Sequence, residues 1–152
     1  MGFSGRFLNL VKQQLINVGS ESSVEQLVVY AAQAREGDTP SLEALGCWPG
    51  FGKALPPVEA EAELLSPSPY RRWYPLQEGS ILLGVLRVEI SRENQVWSES
   101  LDQKFTSFAL TLTQVLGLEL ERAKLAQEIT EQKEYISLTI HQLRNPLAAL
   151  RT

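Results

Sequence analysis

The chain contains one histidine, His141, followed four residues later by Asn145 and then by Pro146. Four residues is one turn of an α-helix, so in a helix His141 and Asn145 share a face. Pro146 has no amide hydrogen. The carbonyl of Gln142 therefore loses its helical partner, and a bend is expected just beyond the imidazole. Ile136, Ile140, Leu143, Leu147 and Leu150 recur at alternating steps of four and three, the spacing of a buried seam. Ser137, His141, Arg144, Asn145 and Ala148 fall outside that seam. His141 should thus stand on the solvent side of a packed helix, where a neutral imidazole nitrogen is a nucleophile.

The element that positions His141 should be a long helix. Ser98 is a suitable N-cap, with Glu99 in the first turn. Apolar residues follow at Leu101, Phe105, Phe108, Leu112 and Val115, then after Gly117 at Leu118, Leu125, Ile129 and Ile136. The steps shorten near Gly117 and lengthen near Ile140, as insertions in a coiled coil do. Some fifty helical residues would extend on the order of 75 Å, too far for a domain of this size to bury. A parallel homodimer through this helix is the expected solution.

Ahead of that helix the pattern changes. Leu8, Val11, Leu15 and Val18 mark an amphipathic helix over residues 5–18, ended by Gly19-Ser20, that should pack beside the long helix. Residues 24–34 are apolar on both faces and read as a doubly covered strand. Glu36–Pro40 is a turn cluster, and a second strand over 42–48 should run back antiparallel. Residues 49–69 hold Pro49, Pro56, Pro57, Pro67 and Pro69, with a short helical stretch at 58–65. Residues 70–76 and 80–91 read as paired strands across Gln77-Glu78-Gly79, where glycine supplies a positive φ. Gly84 marks a close backbone approach or a bulge. The class is α+β.

The residues His141, Asn145, Pro146 and Leu147 resemble the phospho-acceptor box of sensor histidine kinases, "H-x-x-x-[N/T]-P-L". That resemblance implies that His141 is phosphorylated and that Asn145 orients water for phosphatase action. It also implies Mg-ATP as the phosphoryl source for the full-length kinase, and a response-regulator receiver domain as partner. The family has an acidic residue after the histidine as a general base; here it is Gln142, which takes no proton. The segment Tyr74–Glu89, with its "Leu-Leu-Gly-Val-Leu" strand, resembles the end of a GAF domain. This implies a central antiparallel sheet, helices on one side and a small-molecule cavity on the other. The organisation implied is a GAF-like sensor over 1–116, a coiled-coil signalling helix over 117–136 and the start of the dimerisation and phospho-acceptor helix over 137–152. The stretch Leu143–Thr152 is similar to cyanobacterial kinases related to the chloroplast sensor kinase, which implies a photosynthetic redox cue. With no nucleotide-binding region after His141, the chain is expected to be inactive as a kinase alone.

A ligand in the sensor would use Trp48, Phe51, Tyr70, Arg71, Arg72, Trp73 and Tyr74, aromatics and arginines suited to a flat or anionic molecule. Equally weighted against this is a sensor fold used only for dimerisation. Cys47 is followed by Trp48, and no histidine precedes 141, so the bilin attachment pattern and a histidine-ligated haem are both missing from the sensor. One cysteine provides no internal disulfide, and no metal site is assigned. Net charge is −4 without a basic block, which argues against nucleic acid. No apolar run approaches the ~20 residues of a membrane span, and Met1–Arg6 does not read as a signal peptide. A cytoplasmic sensor is expected. The competing class is a non-enzymatic GAF ligand-binding or dimerisation module whose helix merely ends in a histidine.

Overall fold

A computed structural model of the chain describes residues 2–35, 38–50, 69–91 and 96–151, with backbone alone at 33–35, 38–40 and 134–151. The expected helix at 58–65 and the candidate Phe51 lie outside the described residues. In chain order the elements are α1 (Gly5–Glu21), β1 (Val24–Arg35), β2 (Asp38–Trp48), β3 (Arg71–Glu78), β4 (Ile81–Ile90) and α2 (Glu99–Arg151). The strands form one four-stranded antiparallel sheet in the order β2-β1-β4-β3. An antiparallel sheet with two helices is the α+β class that the sequence indicates.

Both helices pack on the same face of the sheet. Phe7, Val11 and Leu15 of α1 and Phe105, Phe108, Ala109, Leu112 and Leu116 of α2 share one core with Leu27, Val29, Tyr74, Leu76, Leu86 and Val88. Each fully buried aliphatic or aromatic side chain here stabilises by roughly 1.5–3 kcal/mol. The opposite face carries a smaller core of Val28, Tyr30, Leu42 and Val85. This accounts for the two-sided apolar character of β1: Leu27 and Val29 face the helices, Val28 and Tyr30 face away. β1 and β4 are the central strands, and they carry the strongest apolar runs.

Local chemistry sets the element ends. Ser4 caps α1, its hydroxyl accepting from the Phe7 amide at 3.2 Å. Ser98 caps α2 in the same way, accepting from Leu101 at 3.1 Å. Gly79, at φ 62°, opens the two-residue turn between the paired Glu78 and Ile81. That geometry is a type II′ turn, because no other residue there has positive φ.

Three expected ends differ. β3 runs to Glu78 instead of stopping at Leu76, so the turn is Gly79-Ser80 and not Gln77-Glu78-Gly79. α1 does not stop at Gly19-Ser20 but runs to Glu21. Gly19 is there for space: a Cβ would lie 2.3 Å from the Trp48 ring, so the glycine seats the end of β2 against α1. β2 begins at Asp38, not after Pro40, with Arg35 paired to Asp38. An edge strand tolerates proline because one side of it makes no ladder bonds, and β2 is such an edge.

Candidate functional site

His141, Gln142 and Asn145 lie in α2, which continues unbroken from the sheet-packed segment through Gly117 and Pro146 to Arg151. The changed apolar spacing at Gly117 is a change of face. Leu116 is 2% exposed against the sheet, while Leu118 is 68% exposed. Two residues advance a helix by about 200°, so Leu118 points away from the side that Leu116 buries. Leu125 and Ile129 continue on the outward side, each about half exposed. α2 therefore carries two apolar stripes, one filled by its own sheet and one facing outward.

The second candidate region is the sheet face opposite the helices. The pairing register builds it. Arg71 pairs with Glu89, which pairs through the opposite edge of β4 with Gln26; Trp73 pairs with Arg87, and Arg87 with Val28; Val28 pairs with Cys47. Directly opposed residues share a face, so these side chains form two adjacent rows across the sheet. Arg87 is 2% exposed. Its guanidinium donates to the Gln26 carboxamide and lies 3.5 Å from Glu89 Oε2. Arg71 reaches the other oxygen of the same carboxylate at 3.1 Å. The Arg87 guanidinium stands 6.0 Å from the Trp73 ring centroid, at the outer reach of a cation–π contact. The Trp73 ring packs 5.9 Å from that of Tyr30. A buried guanidinium needs anionic or acceptor partners, and here Arg87 shares Glu89 with the partly exposed Arg71.

The sheet divides the sequence-derived pocket residues. Arg71 and Trp73 lie on this face. Trp48, Tyr70 and Tyr74 pack into the helix-side core instead. Arg72 is on the helix side too, bonded to Asp102 at 2.9 Å with its guanidinium 4.7 Å over the Trp97 ring. The Tyr74 hydroxyl donates to the same Asp102 oxygen at 2.8 Å. Burial pushes that phenol well above the usual tyrosine range, and its hydrogen bond to the Asp102 carboxylate adds to the shift. These contacts fasten β3 to the first turn of α2. Gln26, Tyr30, Arg87 and Glu89 were not singled out from sequence. The available signal was Arg87 itself, a charge inside the otherwise apolar run of β4, which burial obliges to find partners.

A third feature links α1 to α2. Glu119 is 7% exposed. Its carboxylate accepts from Arg122 Nη2 at 2.8 Å and Nε at 3.1 Å, and from the Ser4 amide at 3.1 Å. The Arg122 bonds hold the Glu119 carboxyl below its ordinary range, and the Ser4 amide at the α1 N-terminus acts in the same direction against the penalty of burial. Beside this cluster a groove of about 500 Å³ runs between the helices, lined by Phe7, Leu10, Val115 and Leu118 among others.

Among the described residues, no helix is long and apolar enough to cross a membrane, and no three His, Cys, Asp or Glu side chains are grouped as a metal site requires. No family model, curated protein or solved structure matches the chain.

Proposed function

We propose that the chain is the GAF-like sensor and the beginning of the phospho-acceptor helix of a two-component histidine kinase that works in the cytoplasm as a parallel homodimer. The reading rests on one observation. The helix whose Phe105, Phe108, Leu112 and Leu116 fill the sensor core runs on as a single helix through His141, Asn145 and Pro146. A change in how the sensor grips α2 is therefore delivered mechanically to the phospho-acceptor segment. Two helices on one face of an antiparallel sheet, with polar and aromatic groups on the other, fit the GAF-like expectation.

In this reading a nitrogen of neutral His141 attacks the γ-phosphorus of Mg-ATP held by a nucleotide-binding domain. The bond to the bridging oxygen breaks and ADP leaves. An aspartate carboxylate of a receiver domain then takes the phosphoryl group, and the imidazole is restored. Asn145, one turn on, orients the water that hydrolyses the aspartyl phosphate, which releases inorganic phosphate and restores the carboxylate. Gln142 has no basic group, so the imidazole proton goes elsewhere. The input is a flat or anionic small molecule on the Arg71–Arg87–Trp73 face.

Incubating the purified chain with a histidine-kinase catalytic domain and γ-labelled ATP tests this. Acid-labile, base-stable label is expected on the chain and absent from His141→Gln. A folded chain that takes no label would instead leave a binding or dimerisation module.

A further inference from the structure

We infer that the groove between α1 and α2 binds a free fatty acid, its alkyl chain lying along the groove and its carboxylate held by Arg6 and Arg122. The groove has a volume of about 500 Å³, and Phe7, Leu10, Val115 and Leu118 form its apolar lining. Small-molecule sites span roughly 300–1,000 Å³. Leu10 is 45% exposed and Leu118 68% exposed, so two large apolar side chains of the groove meet water. Both helices belong to one chain, so the site is complete in a single copy.

The sheet fixes how the groove is oriented. Trp48, paired with Leu27, lies against Gly19, and Gly46, paired with Val29, lies against Val11 and Leu15. Along α1 the chain therefore passes from the Val29 row to the Leu27 row. Arg72 bonds Asp102 and pairs with Val88, the partner of Leu27, whereas Leu116 lies against Gly84, the partner of Ala31. Along α2 the chain passes from the Leu27 row to the Ala31 row, so the two helices are antiparallel. Ser4 at the start of α1 accordingly meets Glu119 of α2. One end of the groove gathers Ser4, Arg6, Glu119 and Arg122, and the groove becomes apolar toward Leu10 and Val115. A polar end and an apolar length match a molecule with one charged head and one chain.

The charge of the polar end selects an anion. Glu119 takes Nε and Nη2 of Arg122, which leaves Nη1 without a partner among the described residues. Arg6 is exposed and makes no ion pair among the described residues. Two arginines against one carboxylate leave this end cationic, and the positive end of the α1 dipole lies there too. The Ser4 amide is already given to Glu119, so the arginines are the donors that remain. A guanidinium offers paired N–H groups that a carboxylate accepts side by side. A phospholipid would bring two chains to a groove with one apolar length, so a free fatty acid fits better than a membrane lipid.

Isothermal titration calorimetry of the whole chain tests the inference, with decanoate, dodecanoate and 1-decanol as probes, the acids below their micellar range. Saturable binding is expected, with dodecanoate roughly tenfold tighter than decanoate, the effect of burying two further methylenes. Arg6→Gln, at an exposed position, should weaken decanoate roughly fivefold and leave 1-decanol unchanged. Leu10→Gln should weaken both, with an unchanged circular dichroism spectrum. Absence of saturable binding, equal affinity for the two acids, or equal losses of decanoate and 1-decanol in Arg6→Gln would overturn the inference. Adsorption of the chain to phosphatidylglycerol vesicles without dodecanoate binding would overturn it in favour of a lipid surface. None of these outcomes bears on phosphorylation of His141.

Discussion

Replacing Glu119 by Gln keeps the side chain's shape and removes its charge. The carboxylate receives the Ser4 amide at 3.1 Å and a forked Arg122 at 2.8–3.2 Å while 7% exposed. Hydrogen bonds to a charged group contribute about 1.5–3 kcal/mol. The Arg122 side chain is 49% exposed, so solvent screens its part and most of the contribution comes from the Ser4 amide. A negative charge at the α1 N-terminus adds about 0.3–1 kcal/mol. The variant should lose about 2 kcal/mol at pH 7, a Tm drop of roughly 4–8 °C at fixed protein concentration. Because the folded chain holds this carboxyl below its ordinary range, the unfolded chain binds the proton more readily. The contribution is therefore complete above the ordinary glutamate pKa of about 4.3 and is lost as pH falls further, through the depressed folded value. Urea unfolding of both proteins at a series of pH values should show a gap that is constant from pH 7 to 5 and shrinks as acid approaches the folded pKa. A gap that persisted undiminished to acid denaturation would refute the electrostatic account, leaving packing as the cause.

Two glycines should respond in opposite ways. At Gly84 a Cβ would meet the Tyr30 carbonyl oxygen at 2.2 Å, so Gly84→Ala should destabilise by about 2–3 kcal/mol in chemical denaturation. At Gly117 the one tight neighbour is the Glu78 carboxylate, at 2.9 Å on an exposed side chain that can move, with Leu83 Cδ1 at an ordinary 3.7 Å, so Gly117→Ala should be neutral or up to ~1 kcal/mol stabilising. In a full kinase, unchanged basal and signal-dependent phosphorylation of His141 in Gly117→Ala would make this glycine a packing residue only. Tyr74→Phe should cost about 1 kcal/mol through loss of its bond to Asp102, measured by thermal unfolding. Ile129→Glu with Ile136→Glu should give monomers in sedimentation; an unchanged dimer would contradict the seam.

The strands and helices were legible because their signals are local. β1 and β4 have uninterrupted apolar runs, Ser98 caps a periodic segment, and Gly79 sits in a two-residue turn. Gly84 was marked from sequence as a close backbone approach or a bulge, and of the two it is a close approach, to the Tyr30 carbonyl. The sheet face opposite the helices was less legible. Tyr70 through Tyr74 look like one cluster when written out, but successive strand residues point to opposite sides, so Arg72 and Tyr74 part from Arg71 and Trp73. Their true neighbours, Arg87 and Glu89 on β4 and Gln26 on β1, are set by strand register, which depends on pairing between distant segments. Gly19 read as a helix end for a similar reason: the Trp48 ring that requires it is 29 residues away in sequence.

The apolar pattern of α2 changes its meaning along the helix. Up to Leu116 the stripe is fixed by the sheet, and rotation of the helix would expose Phe105, Leu112 and Leu116, which are at most 3% exposed. From Leu118 onward the stripe faces away from the sheet and answers to whatever covers it. Between the two lie Gly117, without a side chain to pack, and Glu119, which grips α1. A sensor ligand that pulled on Arg71 or Arg87 would act on β3 and β4, the strands that pack under α2. Its shortest route to the outward stripe is the β3–β4 turn, where Glu78 lies against Gly117. The stiff parts of the molecule thus converge on one short stretch, residues 116–122. In the proposed kinase, a small displacement there would change the phase between the sheet-bound stripe and the outward stripe that runs toward His141.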